Sequence, residues 1–272
     1  MEVKFDLVSV SFDSETLHGL YCKSLKSRGT VIHLHGTWGN FYANPFIKPL
    51  AKMYIDNGYD FLTINIVGHD ETSINENFEK SIKSIEFWIG DVKPTLPLIL
   101  QGHSLGALKV LRLIKNKSSI LNDVSAVVLL SPFDIVSFYL SNPPSDNKHK
   151  KELVSKLIAE GKGDENLPLE VFNLWQISNN TYFSAIEEGA YLDLFNARNG
   201  SFIDISFSGF NKKILVALGN NDFASTPKAG EMKHLIDAKC FPNVTTILID
   251  NAPHNFAGCV NDLSEAIKIW LG

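Results

Sequence analysis

Pro97-Leu-Ile-Leu-Gln-Gly-His-Ser-Leu-Gly-Ala-Leu108 is the stretch that decides how this chain is read. Its apolar run, Leu98, Ile99 and Leu100, has the composition of a short buried strand, and residues 107–113 have that of a helix. Gly102-His103-Ser104-Leu105-Gly106 joins them as G-x-S-x-G, a pattern that carries meaning when a strand feeds it and a helix leaves it. A serine in such a turn takes a strained backbone conformation, and side chains at Gly102 or Gly106 would collide with the neighbouring strand and helix. The turn holds Ser104 Oγ clear of the sheet, while the free N–H groups of the new helix, Leu105 among them, aim at the same point. The expectation is a nucleophile elbow, against the plain alternative of a tight glycine turn.

On either side of this stretch, apolar strand patterns alternate with amphipathic helical ones. Residues 3–12 and 17–24 read as an antiparallel pair. Residues 30–34 read as a buried strand, 45–57 as a helix opened by Asn44-Pro45, and 59–67 as a further strand. Residues 77–88 carry helical spacing and 125–130 another buried strand. Strand patterns return at 213–218 and 244–249, with helices at 229–238 and 261–271. This alternation predicts an α/β fold with a mainly parallel twisted sheet and helices on both faces. The rhythm breaks at residues 135–210, where Pro143-Pro144, a charged loop, a helix near 150–160 and scattered aromatics stand. About 75 residues are marginal for a separate core. The expected organisation is a core of residues 1–134 and 211–272 with 135–210 as a helical cap or lid inserted in it.

Composition narrows the function classes. The chain has 272 residues, a formal charge of −5, 44% hydrophobic and 20% charged residues. No strongly basic face is implied, so nucleic acid is not an expected partner. No run approaches a membrane span, and the N-terminus lacks the basic-then-apolar pattern of a signal peptide. Three cysteines far apart, Cys22, Cys240 and Cys259, suggest a reducing compartment without structural zinc, so cytoplasm is the expected location. No metal-ligand spacing, phosphate loop or dinucleotide fingerprint is present, and no cofactor is expected.

A serine needs a base within hydrogen-bond reach and a third group to orient that base. Of the eight histidines, His254 follows the last strand in Asn251-Ala-Pro-His-Asn-Phe256, at the strand edge where open parallel sheets bind ligands. His103 instead reads as packing behind the elbow. For the carboxylate, Asp222 lies just past a strand and before the histidine. Asp134 after the strand ending at Leu130 is a geometrically credible competitor, and Asp250 is too close in sequence to His254 to reach behind its ring. The oxyanion needs two converging donors. One is the N–H of Leu105. The other is expected from Gly36-Thr37-Trp38-Gly39, with Thr37 first and Trp38 second. Trp38, Phe138 and Trp175 are the expected substrate-binding side chains, although the aromatics of 135–210 read equally as the insertion's own core.

Together, His35-Gly36, Gly102-His-Ser-Leu-Gly106, Asp222 and Pro253-His254 resemble the α/β-hydrolase superfamily, whose nucleophile, acid and base come in this order. The likeness covers essentially the whole chain and is nearest to compact bacterial serine esterases and thioesterases, with residues 135–210 at the position of that superfamily's variable cap. It implies a serine hydrolase acting on a small ester or thioester; the aromatics of 135–210 suggest that the substrate is apolar or aromatic in part, and a homodimer is an option. An acyltransferase or C–C bond hydrolase on the same scaffold, or a binding protein without turnover, are the rival readings. Two features depart from the pattern. Val67-Gly68-His69-Asp70 stands where relatives often have Arg-Gly-His-Gly, and the oxyanion loop has no glycine run.

Overall fold

The structure is a computed structural model that describes residues 3–37, 39–70, 73–141, 143, 146–168, 171, 177–187, 189–195 and 210–272. Trp38 and Trp175 lie outside these residues. The strands, in chain order, are β1 (Asp6–Phe12), β2 (Glu15–Cys22), β3 (Thr30–Leu34), β4 (Asp60–Ile64), β5 (His69–Asp70), β6 (Ser73–Ile74), β7 (Leu98–His103), β8 (Val124–Leu130), β9 (Lys213–Gly219) and β10 (Val244–Ile249). The helices are α1 (Ile47–Asp56), α2 (Phe78–Val92), α3 (Leu105–Lys115), α4 (Ile135–Ser141), α5 (Asn147–Ala159), α6 (Asn179–Phe183), α7 (Ala229–Ala238) and α8 (Val260–Leu271).

Eight strands form one sheet in the order β1-β2-β4-β3-β7-β8-β9-β10, and β5 and β6 form a separate small pair. From β4 to β10 every pairing in the large sheet is parallel; β1 and β2 add an antiparallel edge. β3, β4, β7, β8 and β9 are buried along almost their whole length because both faces of the sheet are covered. Successive residues serve opposite cores. Ile32, Leu100, Val127 and Val216 pack with α2, α3 and α7, whereas Val31, Ile99, Val128 and Leu215 pack with α1 and α8. A third apolar cluster, with Tyr139, Val154, Leu167 and Tyr182, belongs to the chain between β8 and β9.

The strand order reverses between β3 and β7. β3 pairs with β4 on one side and with β7 on the other. In an open parallel sheet, the crevice beyond the carboxyl ends of such a pair is where ligands bind. The segments leaving those two ends begin at His35 and Ser104.

Several element boundaries differ from the sequence expectation for identifiable reasons. The elbow strand runs on through Gln101 to His103, held on both sides by β3 and β8. Gln101 is tied there by Tyr54 Oη, which donates to its Oε1 at 2.8 Å, and by its own donation to His33 Nδ1 at 2.9 Å. Helix α1 begins at Ile47 instead of Pro45, with Phe46 as its uncapped N-cap. That start places Pro49 within the first turn, where a missing N–H costs nothing.

Candidate functional site

Ser104 occupies the junction of β7 and α3 with φ 57° and ψ −124°, a conformation that is strained for a residue with a side chain. The flanking glycines make the turn possible. A Cβ on Gly102 would lie 2.4 Å from the Gly106 carbonyl oxygen, and one on Gly106 would lie 2.3 Å from that of Leu34. The helix therefore starts pressed against the end of β3, with Leu105 N–H among the first donors of α3 that lack an intrahelical acceptor.

Asp222 follows β9 and His254 follows β10, so both reach the same sheet edge as Ser104. Ser104 Oγ lies 2.9 Å from His254 Nε2, and His254 Nδ1 lies 2.9 Å from each oxygen of Asp222. The carboxylate can only accept, so Nδ1 carries the proton and Nε2 is left to accept from the serine hydroxyl. Asp222 is itself positioned by the Ala224 N–H, which donates to its Oδ1 at 2.8 Å. His103 Nε2 donates to the His254 carbonyl at 2.8 Å, anchoring the loop that carries His254. Burial, followed by the nearby His254, pushes His103 down to about 3, so its ring is neutral.

The two competing carboxylates are placed elsewhere. Asp134 caps the start of α4, its Oδ1 accepting from Ser137 N–H at 3.0 Å and its Oδ2 from Ser137 Oγ at 2.6 Å. Asp250 is exposed at the end of β10.

The loop after β3 lies against the serine. A Cβ on Gly36 would meet Ser104 Cβ at 2.6 Å, the His103 carbonyl oxygen at 3.0 Å and Ser104 Oγ at 3.1 Å. Gly39 N–H donates to the Gly36 carbonyl at 3.0 Å and closes the turn around Thr37. Gly36→Ala is expected to push this loop and the serine apart and to lower kcat about 100-fold with a much smaller change in KM. Steady-state kinetics on the folded variant check it.

Aromatic rings surround His254. Phe133 lies 6.5 Å and Phe223 5.4 Å from the His254 ring, centroid to centroid, and Phe138 packs on Phe133 at 5.3 Å. Phe223 is 79% exposed although it adjoins Asp222. Phe138 was expected at a substrate site; it stands one ring behind Phe133. Phe133 and Phe223 were not singled out in the sequence, and their adjacency to Asp134 and Asp222 was the available signal.

The fold is the α/β-hydrolase fold. Neither a protein-family model nor a curated protein matches the sequence. Among solved structures, the chain is similar to the mouse alpha/beta hydrolase domain-containing protein 10, with a TM-score of 0.68, 18% identity and 98% of each chain covered. It is similar to the Aspergillus fumigatus siderophore hydrolase EstB, with a TM-score of 0.68, 14% identity, and 98% of this chain and 97% of that one covered. Est1E of Butyrivibrio proteoclasticus, seen with bound ferulic acid, matches with a TM-score of 0.66 at 15% identity over 97% of each chain. No helix among the described residues is long and apolar enough to cross a membrane.

Proposed function

We propose that the protein is a serine hydrolase that cleaves a small carboxylic ester or thioester through an acyl-enzyme on Ser104. The observation that carries this reading is the unbroken row of hydrogen-bonding contacts from Ser104 through His254 to Asp222, set on a serine with positive φ. His254 Nε2 takes the hydroxyl proton as Oγ attacks the carbonyl carbon. The resulting oxyanion accepts from Leu105 N–H and Thr37 N–H, and the imidazolium is stabilised by Asp222. His254 then gives its proton to the departing alcohol or thiol. A water molecule, deprotonated by the same ring, attacks the acyl carbon and returns the serine.

The rings of Phe133, Phe138 and Phe223 support a substrate with an apolar or aromatic portion beside His254. The likeness to structures described as esterases and hydrolases is in keeping with this chemistry. Reaction with a fluorophosphonate probe and mass mapping test it. An adduct on Ser104 that is lost in His254→Ala is the expected result. A folded protein that takes no adduct overturns the proposal.

A further inference from the structure

A group of buried ionisable side chains plays no part in the acyl-transfer scheme. His69 of β5, Glu76 just before α2, and Lys109 of α3 all have side chains with 0% exposure. Glu76 Oε2 accepts from Lys109 Nζ at 2.9 Å and lies 2.8 Å from His69 Nε2, while Oε1 accepts from Ser81 Oγ at 3.1 Å. Burial alone would raise the Glu76 carboxyl. The Lys109 ammonium, and after it His69, reverse that and hold the group ionised, well below the usual carboxylate range. Burial lowers Lys109, and the Glu76 charge pulls it back up. Charges this deep carry a desolvation cost that apolar side chains of similar volume would avoid, so stability alone is a poor reason for them.

Their attachments supply a better one. Lys109 stands on the helix that Ser104 opens. His69 Nδ1 lies 3.2 Å from the carbonyl oxygen of Gly39, the residue that closes the turn around Thr37. The His35 ring, at the start of that loop, packs on the His69 ring with centroids 4.5 Å apart. The Glu76 carbonyl accepts from Ser178 N–H at 3.0 Å, which links the group to the chain between β8 and β9. The Gly39 carbonyl only accepts, so its bond to the His69 ring is made by a proton on Nδ1.

We propose that His69, Glu76 and Lys109 are positioning residues that tie the oxyanion loop to the serine-bearing helix, so that Thr37 N–H and Leu105 N–H keep one focus. Lys109 fixes the Glu76 carboxylate, the carboxylate fixes the His69 ring, and the ring's Nδ1 holds Gly39. The inference rests on the serine-hydrolase reading, and its test separates the two. In the full chain, with active sites counted by fluorophosphonate titration, His69→Phe keeps a ring against His35 and removes both ring nitrogens. We expect kcat per titrated serine to fall about 10- to 100-fold, with KM changed less than about twofold. Affinity for a trifluoromethyl ketone, which forms the oxyanion on the enzyme, should fall in step with kcat.

An unchanged kcat per titrated serine, or a loss confined to KM, overturns the inference and leaves the hydrolase reading standing. A wild-type protein that does not label at Ser104 overturns both. Should His69→Phe fail to fold, the wild-type protein answers instead. In 15N-histidine-labelled protein, His69 Nδ1 should carry a proton held against exchange by the Gly39 carbonyl, and a bare or freely exchanging Nδ1 overturns the inference.

Discussion

Ser104→Ala is expected to lower kcat for ester hydrolysis about a million-fold while leaving the melting temperature close to that of the parent protein. Among the described residues the serine hydroxyl contacts His254 Nε2, and Ser104 belongs to neither apolar core on the sheet faces, so its removal opens no cavity there. Replacing Asp222 discriminates further. Asp222→Asn keeps the shape of the site but no longer favours a proton on Nδ1 of His254, and a loss of about 10⁴-fold in kcat is the expected scale. Asp134→Asn should instead cost stability at the start of α4, where its carboxylate caps Ser137 N–H, and leave kcat within a few-fold. The kinetics of both variants on one ester, beside their melting temperatures, check the assignment. If Asp134→Asn removed activity and Asp222→Asn did not, the acid would have been assigned to the wrong strand end.

The part of this site that could be read from sequence is the part whose signal is local. A strand, G-x-S-x-G and a helix constrain one another over a dozen residues, and steric exclusion at Gly102 and Gly106 forces the turn. His254 and Asp222 were legible because each follows a strand, and parallel strands deliver their ends to one edge. The sequence favours Asp222 over Asp134 on slender grounds, since both follow strands; in the structure Asp222 meets His254 while Asp134 meets Ser137. The buried charges were invisible for another reason. A lysine in a helix reads as its solvent face, yet α3 is buried on every side from Leu105 to Ile114, Lys109 and Arg112 included. Helical periodicity identifies a buried stripe and says nothing when there is no exposed one. Glu76, thirty-three residues before Lys109, gives no hint of pairing with it.

Acid should destabilise the fold well before its carboxylates titrate. His33, His35 and His103 sit at 0%, 0% and 4% exposure around the ends of β3 and β7. Burial, with His103 nearby, pushes His33 down to about 3; burial, with His254 nearby, does the same to His103. Burial, then His69 and Lys109, puts His35 well below its ordinary value. Each ring stays neutral in the folded protein while the unfolded chain protonates it near the ordinary value of 6.5. The unfolded state therefore binds more protons below that pH, and stability falls as pH drops from 6.5 towards 3. Each ring contributes a slope of about 1.4 kcal/mol per pH unit, or about 2 kcal/mol by pH 5. Three such rings are a large fraction of the roughly 5–15 kcal/mol that holds a domain folded. Glu76 adds nothing to this slope, because its depressed value costs stability only below its ordinary value of 4.5. Urea unfolding at pH 7.5 and pH 5.0 should show the midpoint falling with an unchanged m-value. Equal midpoints would mean that these three rings open to water, and that the packing described behind Ser104 is wrong.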